Sequence, residues 1–525
     1  MHVPSTARKR MRAHTIVVLG SALVLAGAQV FDVLEFGAKG DGVELDAPAI
    51  AAAFAACDRA GGGEVLFRAG HRFLTGPMVM GCNNSVVRVE PGATVVSVNT
   101  TFNWPLGPDC PEPSQGKTSR QAQPFLLLDH ARNVSVVGGG EFDARGAMWW
   151  DEHCGNWWCP AWVKNSSTSH PYAWRPFMFR IKDSSMIRVD NITFTDPGFW
   201  CVVPTHSDDV IITNLRVAAA ADSPNTDGVE PMWSRNVVVR DAVIANGDDC
   251  ITVKSGSANV LVENVACENS HGITVGSVWY DDVVNVTYRN IALKNCKAGA
   301  RIKGRSQGNA TVRDVRWENI TLNGVGTGIQ LDMDYETPGA VSPNKGVTVI
   351  RAEFAGVRGT VTADAAQLKC LKARPCFALH AQNVSLVAAR GTKPKVEWNC
   401  AYAALDNRSA GADLAPAPPL SCFAPGPTPP PTPRPTTLPP VQGCSALLYN
   451  GTSTSGNADL AQSKAESLAD CCAACARLRP LGACRAFTYM PVADGKHRKG
   501  DVNCWMHGAG AAISPQADRI AGLLP

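Results

Sequence analysis

Asn236-Val-Val-Val-Arg-Asp-Ala-Val-Ile is followed by Asn259-Val-Leu-Val-Glu-Asn-Val-Ala-Cys, one phrase written twice: an Asn, an alternating β-branched run, an Asp or Asn, and a second short run. The phrase extends both ways. Upstream stand Met186-Ile-Arg-Val-Asp-Asn-Ile-Thr-Phe and Asp209-Val-Ile-Ile-Thr-Asn-Leu-Arg-Val. Downstream stand Val284-Asn-Val-Thr-Tyr-Arg-Asn-Ile-Ala-Leu and Thr311-Val-Arg-Asp-Val-Arg-Trp-Glu-Asn-Ile-Thr-Leu. From Met186 to Val284 the starts are 23 to 27 residues apart. Period-two alternation is a strand signal, and a repeat of this length with almost no helical pattern marks a solenoid. One coil cannot bury its own inner face, so coils must stack on each other. A sandwich of hairpins would need regularly spaced Asn-Gly or Asp-Gly turns, which are not the rule here. The expected fold is all-β, a right-handed parallel β-helix.

In such a stack, residues one coil apart occupy neighbouring strands about 4.8 Å apart, so a residue type that recurs at the coil period forms a line. Four segments share one outline: Asn225-Thr-Asp-Gly-Val-Glu, Gly247-Asp-Asp-Cys-Ile-Thr-Val-Lys, Ser270-His-Gly-Ile-Thr-Val-Gly and Ala300-Arg-Ile-Lys. Aligning the apolar residues Val229, Ile251, Ile273 and Ile302 places Asp227, Asp249 and His271 in register, and strand alternation sends Arg301 and Lys303 outward. Asp227, Asp248 and Asp249, one imidazole and two cations then converge on one groove. Crowded carboxylates repel, which raises one pKa and leaves a protonated acid beside ionised bases. Inverting glycosidases need that division of labour, with a water held between acid and base. The cations suit the carboxylate of a uronic acid.

In this order and spacing, Asn-Thr-Asp-Gly, Gly-Asp-Asp-Cys-Ile, Ser-His-Gly-Ile-Thr-Val-Gly-Ser and Arg-Ile-Lys resemble the signature set of glycoside hydrolase family 28, the polygalacturonases and related pectinases. The resemblance runs from Phe31 to Cys422 and opens with Phe31-Asp-Val-Leu-Glu-Phe-Gly-Ala-Lys-Gly-Asp-Gly. It implies a secreted enzyme that cleaves α-1,4-galacturonosidic bonds of pectin-type polymers with inversion. Carried over residue by residue, it makes Asp248 the general acid, and Asp227 and Asp249 the groups that activate water. His271 tunes the acid, Arg301, Lys303 and Tyr335 bind substrate, and Asn225 orients Asp227. Cys250 and Cys267 match a disulfide position of the family. No metal or other cofactor is required. Ser270 and Gly304 depart from the residues common at those positions, Gly and Thr, and are expected to alter the walls of the groove.

Two readings compete. A β-helix polysaccharide lyase would work by β-elimination with calcium and a basic residue. A catalytically inactive protein would only bind acidic glycan. Taken singly, Asp248-Asp249 reads as a turn or a calcium ligand pair and His271 as a structural histidine; their joint register favours a site. Trp149, Trp150, Trp157, Trp158, Trp162 and Trp174 crowd one stretch with Cys154 and Cys159, read as a disulfide-closed exterior loop ahead of a sugar-stacking wall. That stretch is also a candidate for closing one end of the groove. Trp200 and His206, one coil before Asp227, suit either a flanking subsite or packing.

Composition sets the frame. The chain has 525 residues, with Lys+Arg 49 against Asp+Glu 46 and charged residues at 18%, which argues against a nucleic-acid binder. Nineteen cysteines point to an oxidising compartment. Arg8, Lys9, Arg10 and Arg12 precede an apolar run and the small residues Ala26, Gly27 and Ala28, so residues 1–28 read as a secretory signal. Eleven sequons, from Asn83 to Asn450, suit that route. Residues 29–424 form the β-helix, 425–440 a polyproline spacer (PGPTPPPTPRPTTLPP), and 441–525 a Cys-rich module. Ala465-Glu-Ser-Leu-Ala-Asp-Cys-Cys-Ala-Ala-Cys-Ala reads as a short amphipathic helix, with strands at Cys484 and Cys504. The module resembles a PAN/apple domain, a disulfide-stapled α+β unit that binds carbohydrate or protein, although it also suits a spacer with no ligand. Its six Cys allow 15 pairings. Thirteen cysteines fall in the body, an odd number, so one is expected to be an unpaired buried thiol. Cys370 with Cys376 and Cys400 with Cys422 are candidate closures. The expected partner is an acidic polysaccharide, with no nucleic acid, no membrane span and a monomeric state.

Overall fold

A computed structural model describes residues 29–100, 104–105, 122–153, 175–336, 345–392, 396–406, 408–409 and 413–423, and then strands within 447–455, 461–463, 486–489, 504–507 and 512–523. The residues read as a secretory signal, the proline spacer and most of the Trp-rich stretch lie outside the described residues. The chain divides into two compact units, Met1–Pro427 and Thr428–Pro525.

The first unit is a parallel β-helix. Strands Arg235–Ala245, Ala258–Glu268, Val283–Lys294, Asn309–Val325 and Gly346–Val361 pair in parallel, each with the next. Register makes one inward file of Val237, Val260, Val286, Val315 and Ala352. A second file runs Val239, Val262, Tyr288, Trp317 and Phe354, where the branched side chains give way to rings. Trp317 lies between Tyr288, at 5.7 Å between ring centroids, and Phe354, at 5.0 Å. The spacing is the inter-strand distance, so the coil repeat itself stacks the rings. Trp317→Ala would leave a cavity in a file that neighbouring coils hold apart, and should cost about 3–5 kcal/mol in denaturant unfolding. A loss below about 1 kcal/mol would contradict this packing.

The coil corners explain the recurring Asn. Asp209, Asn236, Asn259 and Asn285 adopt φ of 54 to 58°, a left-handed turn that Asn and Asp tolerate better than other side chains. Their amides form a ladder: Asn236 donates to Asp209 (3.0 Å), Asn259 to Asn236 (3.2 Å) and Asn285 to Asn259 (2.9 Å). A second ladder runs through Asp241, Asn264, Asn290 and Asn319.

One element follows a different period. Helix Ala47–Ala60 buries Ile50, Ala53, Phe54 and Cys57, starts with a proline in its first turn and stops at Gly61, whose φ of 77° closes the helix. Its contacts are with the first strands, and Cys57–Cys82 ties it down. The other disulfides in the described part of this unit are Cys250–Cys267, Cys370–Cys376 and Cys400–Cys422. Two thiols, Cys201 and Cys296, are free and buried, where one was expected. Cys201 is fully enclosed, and burial pushes its thiol well up. Cys110, Cys154 and Cys159 lie outside the described residues.

A second face carries the outward side chains used below. It consists of Asp249–Val253, Gly272–Val278, Ala298–Gly304, Thr327–Asp332, Ala366–Lys369 and Trp398–Ala401, all parallel. Upstream, bridges at Val229 link it to Val202 and thus to strand Val202–Thr205. Its inward file is Val229, Ile251, Ile273, Ala300 and Ile329. Ile302 therefore pairs with Val275, and not with Ile273 as the alignment of apolar residues expected. Glycines set this register. A Cβ on Gly272 would lie 2.0 Å from the Ala298 carbonyl oxygen, and one on Gly299 2.2 Å from that of Gly328. Ile273, Ala300 and Ile329 each follow one of these glycines.

The second unit holds a five-stranded antiparallel sheet that includes Leu447–Ser455, Ala486–Tyr489, Cys504–His507 and Ala512–Leu523. The helix read at 465–476 lies outside the described residues. Among the described residues no helix is long and apolar enough to cross a membrane.

Candidate active site

The outward face gathers the three carboxylates where a strand bulges. The Gly228 amide donates to the Asp249 carbonyl (3.0 Å), which sets Asp227 beside Asp249 on adjacent coils. Asp249 is opposite Gly272, and the ladder then skips Cys250 so that Ile251 meets Ile273. The bulge moves His271 out of register with Asp249, contrary to the even spacing of 22, and sets it against Asp248. His271 Nδ1 is 2.8 Å from Asp248 Oδ1, and its main-chain amide donates to the Asp248 carbonyl (2.7 Å).

Buried Asn246 shapes the entry to this turn by donating to the carbonyls of Thr226 (2.7 Å), Asp248 (3.2 Å) and Asp249 (2.9 Å). It stands just ahead of the Gly-Asp-Asp motif, and reading by motif passed over it. Lys303 Nζ lies 2.6 Å from Asp249 Oδ2, Thr274 donates to Oδ1 (3.0 Å), and Arg301 stands 4.0 Å from the same oxygen. Although Arg301 pairs with Thr274 and not with Gly272, where the alignment of apolar residues placed it, the shift is by two residues and both cations still point outward. Tyr335 lies against them, with Arg301 5.3 Å and Lys303 5.0 Å from its ring centroid, and burial raises its hydroxyl.

Asn225 donates to Asp248 Oδ2 (3.4 Å) and so holds Asp248, where the resemblance had it orienting Asp227. Its own oxygen accepts from Arg175 (2.7 Å), which also donates to the carbonyls of Gly198 (3.2 Å) and Pro224 (2.7 Å). Arg175 is buried, and burial lowers its guanidinium to about 10 against the opposing charges of Asp248 and Asp227. It lies some 50 residues from its partner Asn225, outside every repeated motif, so spacing gave no signal for it.

The electrostatics split the carboxylates as crowding requires, in an order that the sequence did not reveal. Burial, and then the charges of Asp248, Glu230 and Asp249, push the Asp227 carboxyl well above the usual range, with Lys254 opposing. Burial would raise Asp248 as well, but the hydrogen bond and charge of His271, with Lys303 and the Asp249 amide, hold it below. In the substrate-free site these surroundings favour the proton on Asp227 over Asp248, whereas the resemblance implies Asp248 as acid. Asp248 is the accessible one, with a side chain 17% exposed against 0% for Asp249.

Ligand atoms of Asp248, Asp249 and His271 lie within 4.8 Å of one another, close enough to hold a metal ion. The donors are already engaged, Asp249 by Lys303 and Asp248 by His271. In a second such group, Asp129, His130 and Asp183, Lys182 sits between the two carboxylates at 3.0 and 2.8 Å.

Ser270 and Gly304 do not form walls. Ser270 is buried, accepts the Gly272 amide (3.1 Å) and meets the Cys296 sulfur (3.2 Å). Gly304 faces inward, where a Cβ would meet Met333 and Val347 at 2.9 Å. Trp149 packs edge-on against Trp104 and Trp150 donates to the Pro197 carbonyl (3.1 Å), so both are packing residues. His206 stacks on Trp233, and Trp200 belongs to a buried aromatic layer.

A parallel β-helix with paired acids, an imidazole and cations on one outward strip defines a polysaccharide-cleaving class of protein. The model of glycosyl hydrolases family 28 matches residues 96–410, and the chain belongs to that family, so it is a glycoside hydrolase. It is 28% identical over 416 residues to a probable polygalacturonase of Arabidopsis thaliana, covering 76% of this chain and 82% of the relative. Two solved structures share the fold. One is endo-xylogalacturonan hydrolase from Aspergillus tubingensis, with TM-score 0.55, 20% identity, and 74% and 98% of the two chains covered. The other is polygalacturonase from Erwinia carotovora, with TM-score 0.54, 20% identity, and 70% and 94% covered.

Proposed function

We propose that this chain is a secreted hydrolase that cleaves α-1,4-galacturonosidic bonds of pectin-type polymers with inversion of configuration. The observation that carries the reading is the strip on which Asp227, Asp248 and Asp249 meet His271, Arg301 and Lys303. Asp248, the accessible carboxyl, gives its proton to the glycosidic oxygen, while Asp227 and Asp249 orient and deprotonate the attacking water. A sugar carboxylate bound at Arg301 and Lys303, against Tyr335, would offset part of the cationic field that holds Asp248 down. The substrate's own charge thus favours the transfer of the resting proton from Asp227 to Asp248, and the two titrate as a pair. A neutral glycan would leave Asp248 ionised, which gives uronic-acid polymers their preference.

His271→Gln tests this coupling. Asp248 must be protonated to act, so activity is present below its pKa and lost as pH rises through it. Removing His271 removes the largest cause that lowers this pKa. The alkaline limb of kcat/KM should move to higher pH while kcat falls, and an unmoved limb would contradict the assignment of Asp248 as acid. The reading as a whole is tested by the release of new reducing ends from a panel of uronic-acid polymers. A lyase would instead give products with an ultraviolet-absorbing double bond, and a binding protein would give saturable association without new ends. The C-terminal unit, read as a PAN/apple-like module, would hold the enzyme on a wall or matrix. The full chain should then bind insoluble wall material more tightly than residues 29–424.

A further inference from the structure

We propose that Arg175 is a positioning residue of the hydrolysis: it locks the Asn225 amide with its nitrogen toward Asp248, and so turns the acid's proton away from Asn225 and toward the glycosidic oxygen. This rests on the functional reading above and adds what keeps that proton available.

A guanidinium has donors and no acceptor, so the Asn225 atom that faces Arg175 Nη2 at 2.7 Å must be the amide oxygen. The amide then presents its Nδ2 to Asp248 Oδ2, at 3.4 Å. A bond of that length is loose before substrate arrives, and catalytic hydrogen bonds commonly tighten in the complex. Without Arg175 the amide is free to turn over, because its oxygen and nitrogen ends have nearly the same shape.

The direction of the amide matters because of what Asp248 has left to give. Its Oδ1 is taken by His271 Nδ1 (2.8 Å) and by the Asp249 amide (2.8 Å), so the transferable proton belongs on Oδ2. Among the described residues Asn225 is the one hydrogen-bond partner of Oδ2. An N–H aimed at Oδ2 fills one lone-pair direction and repels a proton placed there, which leaves the other direction for the proton that is given to substrate. A turned amide would offer its oxygen instead. The acid would then donate to Asn225, and that bond would have to break before the proton could reach the leaving group.

Arg175 is itself held firmly. Its side chain is buried, its guanidinium lies 4.9 Å from the Phe199 ring centroid, and its Nη1 donates to the carbonyls of Gly198 (3.2 Å) and Pro224 (2.7 Å). The Pro224 carbonyl belongs to the peptide that leads into Asn225, so one planar group grips both the main chain before this residue and its amide. A rigid fork of donors suits that double grip better than the single ammonium of a lysine.

The test is steady-state kinetics of the full chain on polygalacturonate, with folding checked by circular dichroism. Arg175→Met should lower kcat by about tenfold to a hundredfold and change KM by less than about twofold, because the proton is needed only in the transition state. Asn225→Ala should lower kcat by a similar factor, and adding Arg175→Met to it should cost less than about a further twofold, since the two residues act as one unit. Asn225→Asp keeps Arg175 paired and the shape nearly unchanged but turns an acceptor toward Asp248. It should therefore be slower than Asn225→Ala although it is the smaller change, and this comparison stands even where Arg175→Met does not fold. Losses that add in the double variant, or an Asn225→Asp enzyme as fast as Asn225→Ala, would overturn the inference while leaving the hydrolase reading intact. No new reducing ends from the wild-type chain would overturn the functional reading itself, and this inference with it.

Discussion

Asp248→Asn and Asp249→Asn are each expected to lower kcat on polygalacturonate by about two to four orders of magnitude. In Asp248→Asn the side chain keeps its shape and can still meet His271 and Asn225, but it has no proton to give to the leaving oxygen. Asp249→Asn removes the charge that Lys303 pairs with and weakens the activation of water. Each substitution is nearly isosteric in a site framed by backbone bonds from Asn246, so the fold should persist, as circular dichroism and unfolding can check. Substrate binding should persist too, since Arg301 and Lys303 remain. Activity close to wild type in Asp248→Asn would remove the acid from the scheme.

Lys303→Met is expected to have the largest effect on stability of any single change in the site. Lys303 and Asp249 form a buried pair at 2.6 Å, with side chains 6% and 0% exposed. Loss of the cation strands a buried carboxylate that keeps only Thr274 and the more distant Arg301. Breaking such a pair from one side costs about 3–5 kcal/mol. Combining Lys303→Met with Asp249→Asn removes the stranded charge, so the double variant should be more stable than Lys303→Met alone. Equal stability of the two would show that the pair is solvated and that the cation serves substrate alone.

The β-helix was legible because its signal is periodic. The Asn at each corner, the alternating runs between corners and the 23 to 27 residue spacing all report one coil, and the structure returns them as amide ladders and apolar files. The site was legible in its residue types, since Asp227, Asp248, Asp249, His271, Arg301, Lys303 and Tyr335 do gather on one face. Its register was not. A bulge at Cys250 and the glycines at 272, 299 and 328 decide which residue faces which, and main-chain contacts of that kind leave no trace in the pattern of apolar residues. The place of the proton was hidden for a related reason: burial and the reach of His271 are properties of the fold. Arg175 and Asn246 each act through several hydrogen bonds gathered at one place in the fold and recur nowhere, so no repeat could flag them. The helix Ala47–Ala60 has an apolar stripe made largely of alanines, which a search for strongly periodic branched residues passes over.

Inverting hydrolysis at the carboxylate strip is tested most directly by following the anomeric proton of the new reducing end by NMR, during the first turnovers on a galacturonate oligomer. The α-linked substrate should yield β-anomer first, with α-anomer appearing only as the sugar mutarotates, and Asp248→Asn should yield neither. A product that begins as the α-anomer, or one that carries a new double bond, would contradict the account.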